Sequence, residues 1–154
     1  MKKLVSLAMV LGLVLGLGTA AMAAESTDIT VSATVQPTCR FATPLPTLAF
    51  GTLDQSSLLD ATVAGNLRFW CTIGTAYILS DEFNIGVADG AFSGTLVDGA
   101  NNIPYSISYN NFQGPGLGRS AEITSLLTAT ILNANYINAP PGAYSDIVTF
   151  TINP

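Results

Sequence analysis

Residues Ser26–Cys39 read STDITVSATVQPTC, and how this stretch is read decides the fold. Ile29, Val31, Ala33 and Val35 are apolar, and Thr30, Ser32 and Thr34 separate them. A period of two predicts a strand over Asp28 to Val35 with one apolar and one polar face. A strand needs a partner, and terminal segments fray unless one is supplied. Either this strand opens its own sheet, or it pairs with another chain.

Upstream, Met1-Lys2-Lys3 is followed by an uncharged apolar run from Leu4 to Gly18 and then by Ala21-Met22-Ala23. A basic start, a short apolar run and an A-x-A site describe a secretory signal over residues 1–23. The run is shorter than the ~20 residues a membrane-spanning helix needs. Cleavage after Ala23 would leave 154 − 23 = 131 residues, the size of one domain. It would also remove Lys2 and Lys3, leaving three arginines against ten acids, a net charge of 3 − 10 = −7. Scattered arginines on an acidic chain argue against nucleic acid and against anionic lipid as partners, since both are bound by neutralising phosphates. Charges are sparse for a domain of this size, which suggests surface that is covered by assembly.

Cys39 and Cys71 are the only cysteines. In an exported chain they predict one disulfide across 32 positions, which the loop-entropy model values at roughly 3–4 kcal/mol. Histidine is absent from the sequence, so neither a metal site nor an activated serine nucleophile is expected, and no cofactor is implied. Asp81 and Glu82 in SDE (80–82) are adjacent, so on a strand they face opposite ways and make a poor acid–base pair. A solvated edge or turn is expected there. DGANN (98–102) lacks the spaced ligands of a calcium loop and reads as a turn. Enzyme activity is not expected.

Turn residues recur about every ten positions: TPLPT (43–47), VAGN (63–66), IGTA (73–76), ADG (88–90), VDGANN (97–102), FQGPGLG (112–118) and NAPPGA (138–143). Between them Leu67, Phe69 and Cys71 alternate with Arg68 and Trp70, and Ile103, Tyr105, Ile107 and Tyr109 alternate with polar residues or Pro104. Val148, Phe150 and Ile152 alternate with threonines, and TLAFGTL (47–53), AYILS (76–80) and LLTATIL (126–132) supply further candidates. Ser120 to Leu132 comes nearest to a helical pattern, but its threonines favour strand. Many short strands at this spacing predict one all-β sandwich. An immunoglobulin-like sandwich would need a strand beyond Ile152. The spare strand lies instead at the other end, before Cys39.

Several segments together carry a resemblance. They are ITVSATVQPTC, LAFGTLD (48–54), LRFWCTIGTAY (67–77), PYSISYNN (104–111) and PGAYSDIVTFTINP (141–154). In this order they resemble the spore coat protein U domain family, which includes the subunits of archaic chaperone–usher pili. The resemblance implies an incomplete immunoglobulin-like β-sandwich, completed by a donor strand from a neighbouring subunit. It implies a donor extension at 24–37 and a pilin domain at 38–154. Ile29, Val31, Ala33 and Val35 would enter the acceptor groove of the next subunit, which Val148, Phe150 and Ile152 would border. Cys39–Cys71 would be the family's disulfide. Implied partners are identical or related subunits, a periplasmic chaperone and an outer-membrane usher. The implied location is a surface pilus, serving adhesion and biofilm formation.

The rival reading is a self-contained secreted coat or carbohydrate-binding module of the same fold. Trp70 could then be a sugar-stacking platform, although packing near the disulfide is the simpler role. FQGPGLG reads as a long connection, and Tyr144 with Asp146 suggests a tyrosine corner, which is structural. A small secreted hydrolase lacks both histidine and paired acids.

Overall fold

The computed structural model describes residues 24–83 and 90–154. The signal sequence read at 1–23 and Ala88 and Asp89 of the ADG turn lie outside the described residues. The chain divides into one unit ending at Ala33 and a second from Thr34 to Pro154. Residues 24–37 form no strand, and Ile29, Val31 and Val35 are 82%, 90% and 78% exposed. The strand expected over Asp28 to Val35 is thus not formed within this chain. Alternation favours strand by fitting a half-buried surface, and these side chains are not buried.

The second unit comprises β1 (Cys39–Phe41), β2 (Ala61–Cys71), β3 (Ala76–Asp81), β4 (Ala91–Asp98), β5 (Asn101–Tyr109), β6 (Gln113–Pro115), β7 (Ile123–Ile131), a one-turn helix α1 (Asn133–Tyr136) and β8 (Phe150–Asn153). Two antiparallel sheets form, ordered β1-β2-β7-β5-β4 and β6-β3-β8. The architecture is all-β and immunoglobulin-like. Alternation puts Leu67, Phe69 and Cys71 inside from β2, and Ile103, Tyr105, Ile107 and Tyr109 inside from β5. Rings close the space between the sheets. Phe69 meets Tyr77 edge-on at 5.0 Å, and Tyr109 meets Phe150 edge-on at 5.3 Å.

Register explains the disulfide. β1 lies antiparallel to β2 with Cys39 directly opposite Cys71, their Cα atoms 4.1 Å apart, and the two are bonded. Ser120 to Leu132 resolves as strand β7, as its threonines required. At the other margin of the large sheet, Gly99 and Ala100 close the β4–β5 hairpin, with Gly99 at φ 61°.

Four expectations are corrected. VAGN is no turn but the middle of β2. Gly65 faces inward, and a Cβ there would stand 2.8 Å from Leu48 Cδ2 and 3.2 Å from Pro46 Cβ. The glycine marks a close approach of another segment, which a turn propensity mimics. TLAFGTL is no strand. Leu48 and Phe50 turn toward the core, but among the described residues no strand pairs with their backbone. FQGPGLG contains the edge strand β6, where Pro115 is tolerated. SDE is no solvated turn. Ser80 and Asp81 are fully buried, and Asp81 accepts hydrogen bonds from the Tyr109 hydroxyl at 3.0 Å and the Phe83 amide at 2.9 Å. Buried carboxylates persist where such donors meet them. Glu82, its neighbour, is exposed.

Candidate functional site

β8 has β3 on one side and, among the described residues, no strand on the other. Beside it opens an apolar groove of about 620 Å³. Its floor is inward-facing sheet, with Leu67 from β2, Ile107 from β5, and Leu127 and Ala129 from β7, all buried. One wall runs from Phe41 through Pro46 and Leu48 to Phe50, the other from Asp146 through Val148 to Phe150. At the rim Leu45 and Ile147 are 62% and 87% exposed. The walls exist because both segments leave the ladder. After Ala42, whose amide bonds to Arg68 O, the chain passes Pro44 and Pro46, and Pro46 can donate no hydrogen bond. On the other side Ser145 exchanges two backbone hydrogen bonds with Val97 of β4, at 3.0 and 3.2 Å, before the chain crosses to pair with β3 as β8. The last segment therefore changes sheets, and its crossing leaves the gap.

One polar pair lies in this apolar setting. The Tyr105 hydroxyl donates to Asp146 Oδ2 at 2.7 Å. Burial raises the Tyr105 pKa far above the ordinary phenol value, helped by that hydrogen bond and by the negative charges of Asp146 and Glu82. Tyr105 therefore remains a donor at neutral pH. Tyr144 donates to Pro140 O at 2.8 Å, a bond back along the chain that fixes the corner leading into the wall. Trp70 is half-buried beside the disulfide strand pair, with Arg119 5.9 Å from its ring centroid.

Val148 and Phe150 line the groove, whereas Ile152 lies in β8 opposite Leu79, away from the lining. Ile29, Val31, Ala33 and Val35 are exposed and apolar, in the segment before β1. Leu48, Phe50 and the Tyr105–Asp146 pair were not singled out from the sequence as groove residues. Leu48 and Phe50 carried a signal, the alternation within TLAF. The bond between Tyr105 and Asp146 spans 41 positions and carried none. Among the described residues no three His, Cys, Asp or Glu side chains are grouped to hold a metal ion, and no helix is long and apolar enough to cross a membrane.

A family model, the Spore Coat Protein U domain, matches residues 25–151. The chain belongs to the Spore Coat Protein U domain family. This is a structural, pilin-like family linked to pilus subunits rather than a family of enzymes. The Spore Coat Protein U match begins at Glu25, so it takes in the alternating segment ahead of β1 together with both groove walls. Among the curated proteins no relative matches.

Proposed function

We propose that this chain is a structural subunit of a surface pilus, built by the chaperone–usher pathway through donor-strand complementation. Ile29, Val31, Ala33 and Val35 of one copy fill the groove of the next, and their backbone extends the sheet beyond β8. The subunit passes through the periplasm held by a chaperone, reaches an outer-membrane usher, and serves adhesion and biofilm formation in the finished fibre. The observation that carries this reading is the apolar groove beside the unpaired edge of β8, in a family linked to pili. An apolar edge of this kind aggregates unless it is covered.

The magnitudes support a strand as occupant. Ile29 to Val35 spans six residue steps, about 20 Å when extended. Burying three large aliphatic side chains gives about 5–9 kcal/mol, with a smaller share from Ala33. Association costs about 4–15 kcal/mol in lost freedom, so backbone pairing along β8 must add to the side chains.

Val31→Asp tests the assignment, because it would bury a carboxylate in an apolar slot. Surface fibres and the polymer ladder on unheated gels should both be lost. Fibres of normal length from this variant would remove Val31, and the donor assignment, from the account.

A further inference from the structure

β2 runs ten residue steps from Ala61 to Cys71, about 34 Å, and so defines two ends of the sandwich. All three arginines lie at the Cys71 end. Arg40 is opposite Trp70, Arg68 is 3.3 Å from Glu122, and Arg119 stands over the Trp70 ring. Ile73 and Leu117 are exposed there, on loops joined by bonds from the Gly74 amide to Gly116 O and the Gly118 amide to Cys71 O.

Four aspartates gather at the Ala61 end. Asp60 Oδ1 accepts the Asn133 amide just beyond β7. Asp54 lies in the same 51–60 loop, where the Ser56 hydroxyl and then the Ser56 amide hold its carboxyl below the usual carboxylate range. Asp98 closes β4, and the pairing of Val97 with Ser145 brings Asp146 to the same end. Between them Leu58 and Leu59 are 91% and 76% exposed. They are not on a loose loop. The Tyr136 hydroxyl donates to Leu59 O, the Asn133 side-chain amide donates to Ser57 O, and the Gln55 side-chain amide donates to Tyr136 O and Ala139 O. A rigidly presented apolar patch rimmed by charge marks an association surface.

The stem of the chain indicates what covers it. The Thr38 amide donates to Thr72 Oγ1, and the Thr72 hydroxyl donates to Gln36 O. Val35 is thus adjacent to backbone held at the arginine end. Any copy whose groove takes up Val35 is kept within a few ångströms of that end, since one residue spans at most ~3.6 Å. Charge sets the direction of insertion. The leading residues Glu25 and Asp28 are acidic, Asp146 stands at the Ala61 end of the groove, and Arg40 adjoins Phe41 at the other. The leading residues are drawn to Arg40, which leaves Val35 at the aspartate end.

We infer that the aspartate-and-leucine end of one copy docks on the arginine end of the next, as a second head-to-tail contact beside the groove. The inference rests on the donor-strand reading. Leu58 and Leu59 meet Ile73 and Leu117, while Asp54 and Asp60 face Arg40 and Arg119. The two surfaces differ, so the contact is heterologous and propagates along a filament.

Three full-length variants test it: Arg119→Glu, Asp54→Lys with Asp60→Lys, and all three substitutions together. Each of the first two should lower the yield of unheated-gel ladders about tenfold through like-charge contact, and the combined variant should recover most of the loss. Capture of an excess of added Ile29–Val35 peptide by the same full-length variants should be unchanged, because the peptide brings no second end. If peptide is captured but laddering ignores every reversal, the docking inference is overturned and the donor strand stands. If the unsubstituted chain neither ladders nor captures peptide, the donor reading falls and the docking falls with it. Should a variant fail to fold, the salt dependence of the unsubstituted chain decides. Reassembly should slow as salt rises from about 0.01 M to 1 M and the screening length drops from roughly 30 to 3 Å, and a salt-independent rate would refute the contact.

Discussion

Tyr105 lines an apolar groove, is 5% exposed, and satisfies its hydroxyl on a carboxylate from the opposite wall. That bond ties the floor of the groove to the segment that changes sheets. Tyr105→Phe would leave Asp146 without this donor at an otherwise unchanged wall. The expected loss is about 1–2 kcal/mol, read as a lower melting temperature or denaturant midpoint. The pH dependence follows from the direction of the shift. Burial raises the pKa of both Tyr105 and Tyr77 above the ordinary phenol value, so folding favours their neutral forms. The stability they confer is complete below the unfolded value of about 10 and is lost as pH rises toward the folded values. Unfolding in alkali should therefore begin above about pH 10, and Tyr105→Phe should flatten that decline. An unchanged alkaline profile in the variant would show that Tyr105 does not contribute to it.

At the level of elements, the pairing of β1 with β2 rests on three residue pairs and one disulfide. Replacing Cys39 and Cys71 with Ser should cost roughly 3–4 kcal/mol and lower the yield of folded subunit, and an unchanged yield and melting temperature would show that the bond does not hold β1 in place. Gly65 governs the groove wall in a different way. Gly65→Val would press on Leu48 and Pro46, and since overpacking costs about 1–3 kcal/mol it should both destabilise the unit and weaken capture of the Ile29–Val35 peptide. Undiminished capture would show that the wall can give way. Gly65 also shows where sequence reading stops. The alternation of Leu67 to Cys71 in β2 and of β5 was legible because each has one buried face, and period two reports burial directly, while β7 was legible from its threonines. VAGN read as a turn because a glycine chosen for a close approach looks the same as one chosen for a bend. The run from Thr47 to Leu53 read as strand because its side chains alternate, while the missing ladder partner leaves no trace in sequence. Burial of Asp81 was equally silent, since its partner Tyr109 is 28 positions away.

For the whole molecule, the features to explain are an apolar groove beside an edge of β8 that no described strand pairs, an exposed alternating segment ahead of β1, and ends of opposite charge. A second copy supplies a partner for all three, and a third repeats the contact, which is the physical basis for reading a fibre. The self-contained coat or binding module remains the rival account, and it makes the opposite demand on residues 24–36. The most direct measurement is size analysis, by unheated gel and chromatography, of the chain with and without Ala24–Gln36, each incubated with an Ile29–Val35 peptide. The donor-strand account predicts that the full chain ladders, while the truncated chain stays monomeric, folds, and captures the peptide. A full chain that is a stable monomer, with a truncated form that unfolds and binds no peptide, would place the strand in its own domain and contradict the fibre.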